Sequence, residues 1–190
     1  MKTTLKELEE KIKAIVPDIP IKQVFIKSAN KTFLCACVEG SKSAIRLYDE
    51  EHGLNHVASI DYRATTQSCF ISSFETMEDM QKLGLGKFVY NMALAHADAL
   101  GATYSYGIIE PTNNIKGVSK SYKDCREEEI AALKEIYSHL GNSIELASNG
   151  HSLKLSCNWT SGDRIKLLSS AQKKLIKEFV ALTTNKGVGV

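Results

Sequence analysis

Apolar residues recur along this chain with two periods, and the change from one to the other divides it. Thr4-Leu5-Lys6-Glu7 has capping-box spacing, and Leu5, Leu8, Ile12 and Ile15 follow at helical intervals up to Pro17, which predicts an amphipathic first helix. Short β-like runs come next at Ile21 to Lys27, Thr32 to Val38, Ser43 to Asp49, His56 to Tyr62 and Ser68 to Met77. Ala29-Asn30, Glu39-Gly40, His52-Gly53 and Ala64-Thr65-Thr66 break them as turns, so the first half reads as a mostly antiparallel meander. From Leu85 the period lengthens: Leu85, Val89, Met92, His96 and Ala99 recur every three or four residues, and Gly101 supplies a stop. A strand from Thr103 to Ile109 follows directly. Residues 68–109 therefore read as strand, tight loop, helix, strand, a βαβ crossover in one sheet.

Residues 112–124 are polar and aperiodic and carry Lys116, Lys120 and Lys123, the mark of a surface loop, either a solvated one or one that touches an anionic ligand. Asp124 then opens a helix with Glu127, Glu128 and Glu129 in its first turn, at the positive end of the dipole. Ile130, Leu133, Ile136 and Tyr137 mark its inner face up to Gly141. Ser143 to Ala147 and Ser152 to Cys157 alternate around Asn149-Gly150 as a hairpin. Asp163 caps a last helix with Ile165, Leu168, Leu175, Phe179 and Leu182 on one stripe, which serves the core or a dimer. The class is mixed α/β, and with neither repeat nor linker the 190 residues read as a single domain.

Composition narrows the partners. A chain of this length buries about 70% of its unfolded surface and needs no staple. A net charge of +2 lacks the basic footprint of generic phosphate-backbone binding, so nucleic acid finds no support, and with no long apolar span no membrane partner is expected. Five cysteines, an odd number, fit neither a disulfide framework nor zinc spacing; reduced thiols in a cytoplasmic protein fit best. Cys35 and Cys37 lie two apart in an apolar run and face the same side as small buried hydrophobes. His96, on the apolar side of its helix, reads as a hydrogen-bonded core histidine. His52, His56, His139 and His151 show no ligand spacing, so no metal is assigned.

The sharpest chemical feature is Gln81-Lys82-Leu83-Gly84-Leu85-Gly86-Lys87, between an extended run and a strong helix. Such a loop aims unpaired backbone N–H groups at one point, where the helix dipole adds positive potential and glycines let an anion approach. The ATP-binding pattern fails: it needs a glycine five residues before Gly86-Lys87 and a Ser or Thr after them, and Phe88 follows. The dinucleotide pattern fails at Val89, where its third glycine belongs, and residues 103–107 hold no acidic ribose partner. Two glycines at a helix start also suit a plain tight turn.

Gln81, Gly84 and Gly86 match the Q/R-x-x-G-x-G/A signature, and in this strand-loop-helix-strand context the stretch resembles the GCN5-related N-acetyltransferases (GNAT). Asn113, after the following strand, and Tyr137-Ser138-His139-Leu140-Gly141 are similar to further family segments. The resemblance covers residues 43–157 and implies an acyl-CoA-binding core there, with residues 1–42 as an N-terminal helix and strands and 158–190 as a C-terminal helix. It implies acetyl-CoA as co-substrate and direct transfer to an amine-bearing acceptor (small molecule, peptide or protein) by a monomer or homodimer. Phe74, Thr76, Gln81, Lys82, Leu83, Gly84, Leu85, Gly86, Lys87 and Asn113 would hold the coenzyme, and Tyr137 would protonate the leaving thiolate. Before the resemblance, Tyr137 on an inward helix face reads as a core aromatic sooner than as an acid; the Leu140-Gly141 ending brings the two readings level. Asn113 and Tyr137 stand further apart than in the family, which marks an insertion. The strand position where many members keep a glutamate base is Phe70, with Ser72 and Phe74 on the same face; Glu75 has the opposite parity. Glu75 or Glu110 would have to act through water. A coenzyme-binding module without catalysis, or an interaction domain using the lysine-bearing loop, are the alternatives.

Overall fold

A computed structural model describes residues 3–109, 122–148 and 152–185. Helix α1 (Leu5–Ile15) begins at the expected capping box, the Thr4 side chain accepting from the Glu7 N–H and Glu7 from the Thr4 N–H. Strands β1 (Ile21–Ile26), β2 (Lys31–Val38), β3 (Ser43–Tyr48), β4 (Ala58–Ala64) and β5 (Cys69–Thr76) then run as an antiparallel meander. Helix α2 (Leu85–Ala99) crosses over to β6 (Tyr104–Ile109), which pairs parallel with β5. Helix α3 (Tyr122–His139) leads into β7 (Ser143–Leu146) and β8 (Leu153–Asn158), and α4 (Asp163–Lys166) and α5 (Ser170–Asn185) close the chain. The eight strands form one mixed sheet in the order β1-β2-β3-β4-β5-β6-β8-β7. No helix among the described residues is long and apolar enough to cross a membrane.

Strand β2 is buried on both sides because the two faces of the sheet are both covered there. Phe33, Cys35 and Cys37 join the main core with α2 and α5, whereas Leu34 and Ala36 meet Leu8 and Ile12 of α1 in a second cluster. The alternation puts the two cysteines on one face, as expected. Ile15, expected on the inner face of α1, is 69% exposed.

Two features of the sheet shape everything beyond it. Tyr62 pairs with Ile71 but Asp61 pairs with Ser73, so Ser72 is an extra residue, a β-bulge; its hydroxyl donates to the Asp61 carbonyl at 3.0 Å. The bulge exchanges the two faces of the strand. Cys69 and Ile71 point to the helices, and beyond the bulge Phe74 takes that side against Tyr90 of α2. Phe70 lies on the opposite face against Tyr106. The expectation that Phe70, Ser72 and Phe74 share a face is thus corrected, and Glu75 is on the side of Phe70. The second feature is a parting of strands: β5 and β6 pair only through Cys69–Ile71 and Ser105–Gly107, after which β5 runs on without β6 beside it.

Further corrections concern the helices. Helix α3 starts at Tyr122, two residues before Asp124, so the end of the predicted loop is helical and Glu127, Glu128 and Glu129 fall in the second turn. Lys116, Lys120 and the Asn149-Gly150 turn lie outside the described residues. The last helix is broken in two. Asp163 does not cap it: Gly162 is the cap residue, at φ +84°, and Asp98 from the end of α2 accepts the N–H groups of Gly162, Arg164 and Ile165. Ser169 and Gln172 then cap α5 reciprocally.

His96 is a core histidine, as expected. It is fully buried and stacked on Phe179, with Nδ1 2.8 Å from the Tyr62 hydroxyl, and desolvation lowers its pKa to about 4. The unfolded chain therefore binds a proton near pH 6.5 that the native protein refuses, so stability rises with pH across that window. Unfolding free energy is expected to drop by about 3 kcal/mol from this residue between pH 7 and pH 4. Denaturant titrations of wild type and His96→Gln check it: the variant must lose most of the pH slope, and an unchanged slope assigns the acid sensitivity elsewhere.

Candidate functional site

After β5 the chain makes a 3-10 turn at Glu78–Met80 and reaches Gln81. Lys82 at φ +64° and Gly84 at φ +76° then turn it sharply into α2. Left-handed backbone costs a residue with a Cβ roughly 1 kcal/mol, so Lys82 is strained while Gly84 is not. A Cβ on Gly84 would overlap the hydroxyl of Ser28, which sits in the turn between β1 and β2 and donates to the Leu83 carbonyl at 2.7 Å. Gly86 has no room either: its Cβ would stand 2.9 Å from the Phe74 ring. The two glycines thus let α2 dock on β5 and on the β1–β2 turn. Among the described residues, no acceptor meets the N–H groups of Leu85, Gly86 and Lys87, the first turn of α2, whereas Phe88 bonds back to Gly84. Three aligned donors with the helix dipole behind them are an arrangement suited to an anion.

This cradle forms one end of a cleft of about 570 Å³, the size of a cofactor pocket. Its walls come from the parted half of β5, from the cradle and from the last turns of α3. Of the residues expected at the coenzyme, Phe74, Thr76, Gln81, Lys82, Gly84, Leu85, Gly86 and Lys87 line it. The Leu83 side chain packs against the core instead. Asn113 and Glu110 lie outside the described residues. The Met77 N–H bonds to Val57 on the far side of β5 from the cleft. Strand alternation therefore turns the Phe74 and Thr76 N–H groups toward the parted side, where β6 no longer takes them. The Gln81 amide, at 3.5 Å, reaches the Thr76 carbonyl on that side.

Tyr137 enters the cleft from α3, its ring 5.9 Å from that of Phe74. It is 5% exposed and its hydroxyl bonds to none of the described residues; burial pushes its pKa well above the usual phenol value. It therefore stays protonated, a hydrogen-bond donor on a residue that lines the cleft. Helix α3 ends behind it in a Schellman turn, with Gly141 at φ +85°, Gly141 N–H on the Ser138 carbonyl and Asn142 N–H on that of Tyr137.

On the opposite face of β5, Glu75 accepts hydrogen bonds from His56 and Ser59, both at 3.1 Å, and these bonds hold its carboxyl below the usual range. His56, Ala58, Glu75 and Thr76 line a second cavity of about 330 Å³, and Glu75 and Thr76 border both cavities. Nearby, Asp49, Glu51 and His52 stand close enough to suggest a cation site. Lys31 already supplies the cation, 2.8 Å from Asp49 and 3.5 Å from Glu51, and His52 bridges Asp49 to Asp79 beside the cradle.

Sequence reading passed over Ser28, Tyr90, Asn142, His56 and Ser59. Tyr90 lies off the apolar stripe Leu85, Val89, Met92, His96 and Ala99, yet is buried because α2 is covered nearly all round. The others act through partners far away in sequence and leave no local signal.

No protein-family model and no curated protein matches the chain by sequence. Solved structures do match. A cAMP-binding acyltransferase from Mycobacterium smegmatis superposes with a TM-score of 0.60 at 10% identity, over 92% of this chain and 60% of that one. A variant of the same protein gives 0.61 at 11% identity, over 95% and 61%. The chain thus spans about 60% of that acyltransferase's length. A Bacillus subtilis acetyltransferase in complex with CoA matches at a TM-score of 0.43 and 16% identity, over 63% of this chain and 78% of that one. The chain has the fold of the GCN5-related N-acetyltransferases.

Gly84→Ala combines a left-handed φ with the overlap on Ser28, so it is expected to cost about 2–4 kcal/mol in denaturant unfolding. In a Ser28→Gly background the cost should fall by about half. Equal costs in both backgrounds would mean that backbone strain alone excludes the side chain.

Proposed function

We propose that the chain is an acyl-CoA-dependent N-acyltransferase that moves an acetyl group from acetyl-CoA to an amine. One observation carries this reading: a single cleft gathers an anion cradle, unpaired strand N–H groups and a buried phenol, brought by α2, β5 and α3 respectively. Spread along one groove, they suit a ligand with a phosphate end, an amide-bearing arm and a reactive sulfur. The N–H groups of Leu85, Gly86 and Lys87 would hold the pyrophosphate. Those of Phe74 and Thr76 would bind the pantetheine arm and polarise the thioester carbonyl.

The acceptor reaches the thioester from the second cavity, where Glu75 attracts an ammonium and, with His56, takes its proton directly or through water. The neutral amine attacks the carbonyl carbon and the C–N bond forms; the nitrogen then gives its second proton to the same Glu75–His56 pair, which passes protons on to water, and the C–S bond breaks. Tyr137 donates its proton to the departing thiolate and regains one from water. Its pKa lies above that of a thiol near 8.5, so transfer is uphill until the apolar cleft desolvates the thiolate and raises its proton affinity.

Acetyl-CoA is expected to raise the melting temperature while ATP and NAD do not, by about 2.7 kcal/mol of stabilisation at 100-fold excess over Kd. Lys87→Glu tests the cradle without breaking it, since an acid in a first helical turn favours the helix but repels phosphate. It should weaken coenzyme A binding at least tenfold in calorimetry with little change in stability. A wild-type protein indifferent to acetyl-CoA, or equally stabilised by ATP, would falsify the assignment. In turnover with a panel of primary amines and peptides, Tyr137→Phe should keep coenzyme affinity and lower kcat about 10²-fold. Full kcat in that variant makes Tyr137 a packing residue.

A further inference from the structure

A bonded path joins the cradle helix to the helix that carries Tyr137. Tyr90, one turn into α2 beyond the cradle, is fully buried and donates its hydroxyl to the Asn142 side-chain oxygen at 2.9 Å. Asn142 in turn gives the Tyr137 carbonyl two hydrogen bonds, from its backbone N–H at 3.1 Å and its side-chain amide at 3.2 Å. A Schellman turn needs only the first. The second exists because the Asn142 amide is held in orientation, and the Tyr90 hydroxyl holds it. The rings close the figure from the other side, Phe74 standing 5.8 Å from Tyr90 and 5.9 Å from Tyr137.

We infer that Tyr90 and Asn142 are positioning residues that fix the Tyr137 hydroxyl relative to the coenzyme sulfur. Through them, the helix that binds the phosphates also sets the place of the acid. The inference rests on the acyl-CoA reading of the cleft. Its physical content is that α3 lies on a different element from the cradle, and a phenol turning on two side-chain torsions is placed only as well as its own backbone. Misplacement by about 1 Å costs up to 10²-fold in rate. Tyr90 belongs to the cradle helix and touches both the strand residue Phe74 and the cap behind Tyr137. Burial raises its own pKa to about 12, so it remains a donor at working pH.

The test needs no knowledge of the acceptor. Coenzyme A is bound to wild type, Tyr90→Phe, Tyr137→Phe and the double variant; Kd is measured by calorimetry, and the bound thiol is titrated by thiolate absorbance. Tyr137→Phe should raise the pKa of the bound thiol by about one unit, the value of one hydrogen bond to a charged acceptor. Tyr90→Phe keeps its ring packing and should raise it in the same direction by a smaller amount, with Kd changed less than twofold. In the double variant Tyr90→Phe should add nothing, since there is no hydroxyl left to position. Asn142→Ala should repeat the Tyr90→Phe result if the path runs as drawn.

Three other outcomes overturn the inference. If wild type fails to bind coenzyme A, or Tyr137→Phe leaves the thiol titration unchanged, the acyl-CoA reading of the cleft or of Tyr137 falls and takes this inference with it. If Tyr137→Phe acts as expected but Tyr90→Phe does nothing, or adds fully in the double variant, the positioning role alone is wrong. If Tyr90→Phe loses coenzyme affinity and thermal stability together, Tyr90 is a packing residue of the core.

Discussion

Between Tyr62 and Asp61 the pairing of β4 with β5 slips by one residue, and the site depends on that slip. A strand with an unbroken period of two would keep Phe74 on the face of Phe70 and point Glu75 at the helices. The extra residue, Ser72, reverses both. It turns the Phe74 ring toward Tyr90 and Tyr137, and it puts the Glu75 carboxylate beside His56 and Ser59 on the other face. A bulge also bends and twists the strand that carries it. Just past Ser72, β5 has left β6, and the N–H groups of Phe74 and Thr76 face a cleft instead of a neighbouring strand. Backbone donors left unpaired in a pocket cost stability unless a ligand or water meets them, which gives the parted strand its chemical meaning.

The cradle is held by the same logic of close approach. Gly84 and Gly86 serve packing as much as any ligand, since one sits against Ser28 and the other against Phe74. The tight-turn reading and the anion-site reading of these glycines are therefore not rivals. Docking α2 this closely is what aims its first three N–H groups into the cleft. Helix α2 is buried over nearly its whole length, so the donors stand on a rigid element.

Polar groups inside this protein divide into those that are spent and those that are free to act. Asp98, Asp49 and His96 are buried, and each is fully engaged: Asp98 with three N–H groups, Asp49 with Lys31 and His52, His96 with Tyr62. Such groups hold loops and helix ends in place. Tyr137 is buried too and lines the cleft, but its hydroxyl bonds to none of the described residues. Lying unbonded at the cleft, more than its residue type, sets Tyr137 apart from these groups.

By itself the sequence determined whatever depends on near neighbours. The capping box at Thr4 and Glu7, the meander, the long-period helix from Leu85, the crossover to a parallel strand and the glycine loop before α2 were all legible, because propensity, period and capping act over a few residues. The paired burial of Cys35 and Cys37 and the hydrogen-bonded core His96 followed from the same local rules. Tertiary structure decided the rest. Phe70-Ile71-Ser72-Ser73-Phe74 carries no local mark of a bulge, since the slip arises from pairing with Asp61 and Tyr62 on another strand. Asp98 caps a helix 64 residues away and Tyr90 reaches Asn142 across 52, bonds that exist only once the sheet register has set those backbones side by side. Periodicity tells which face of an element is apolar. Which polar group meets which depends on the register and crossing of distant segments, and that is fixed only when the whole core packs.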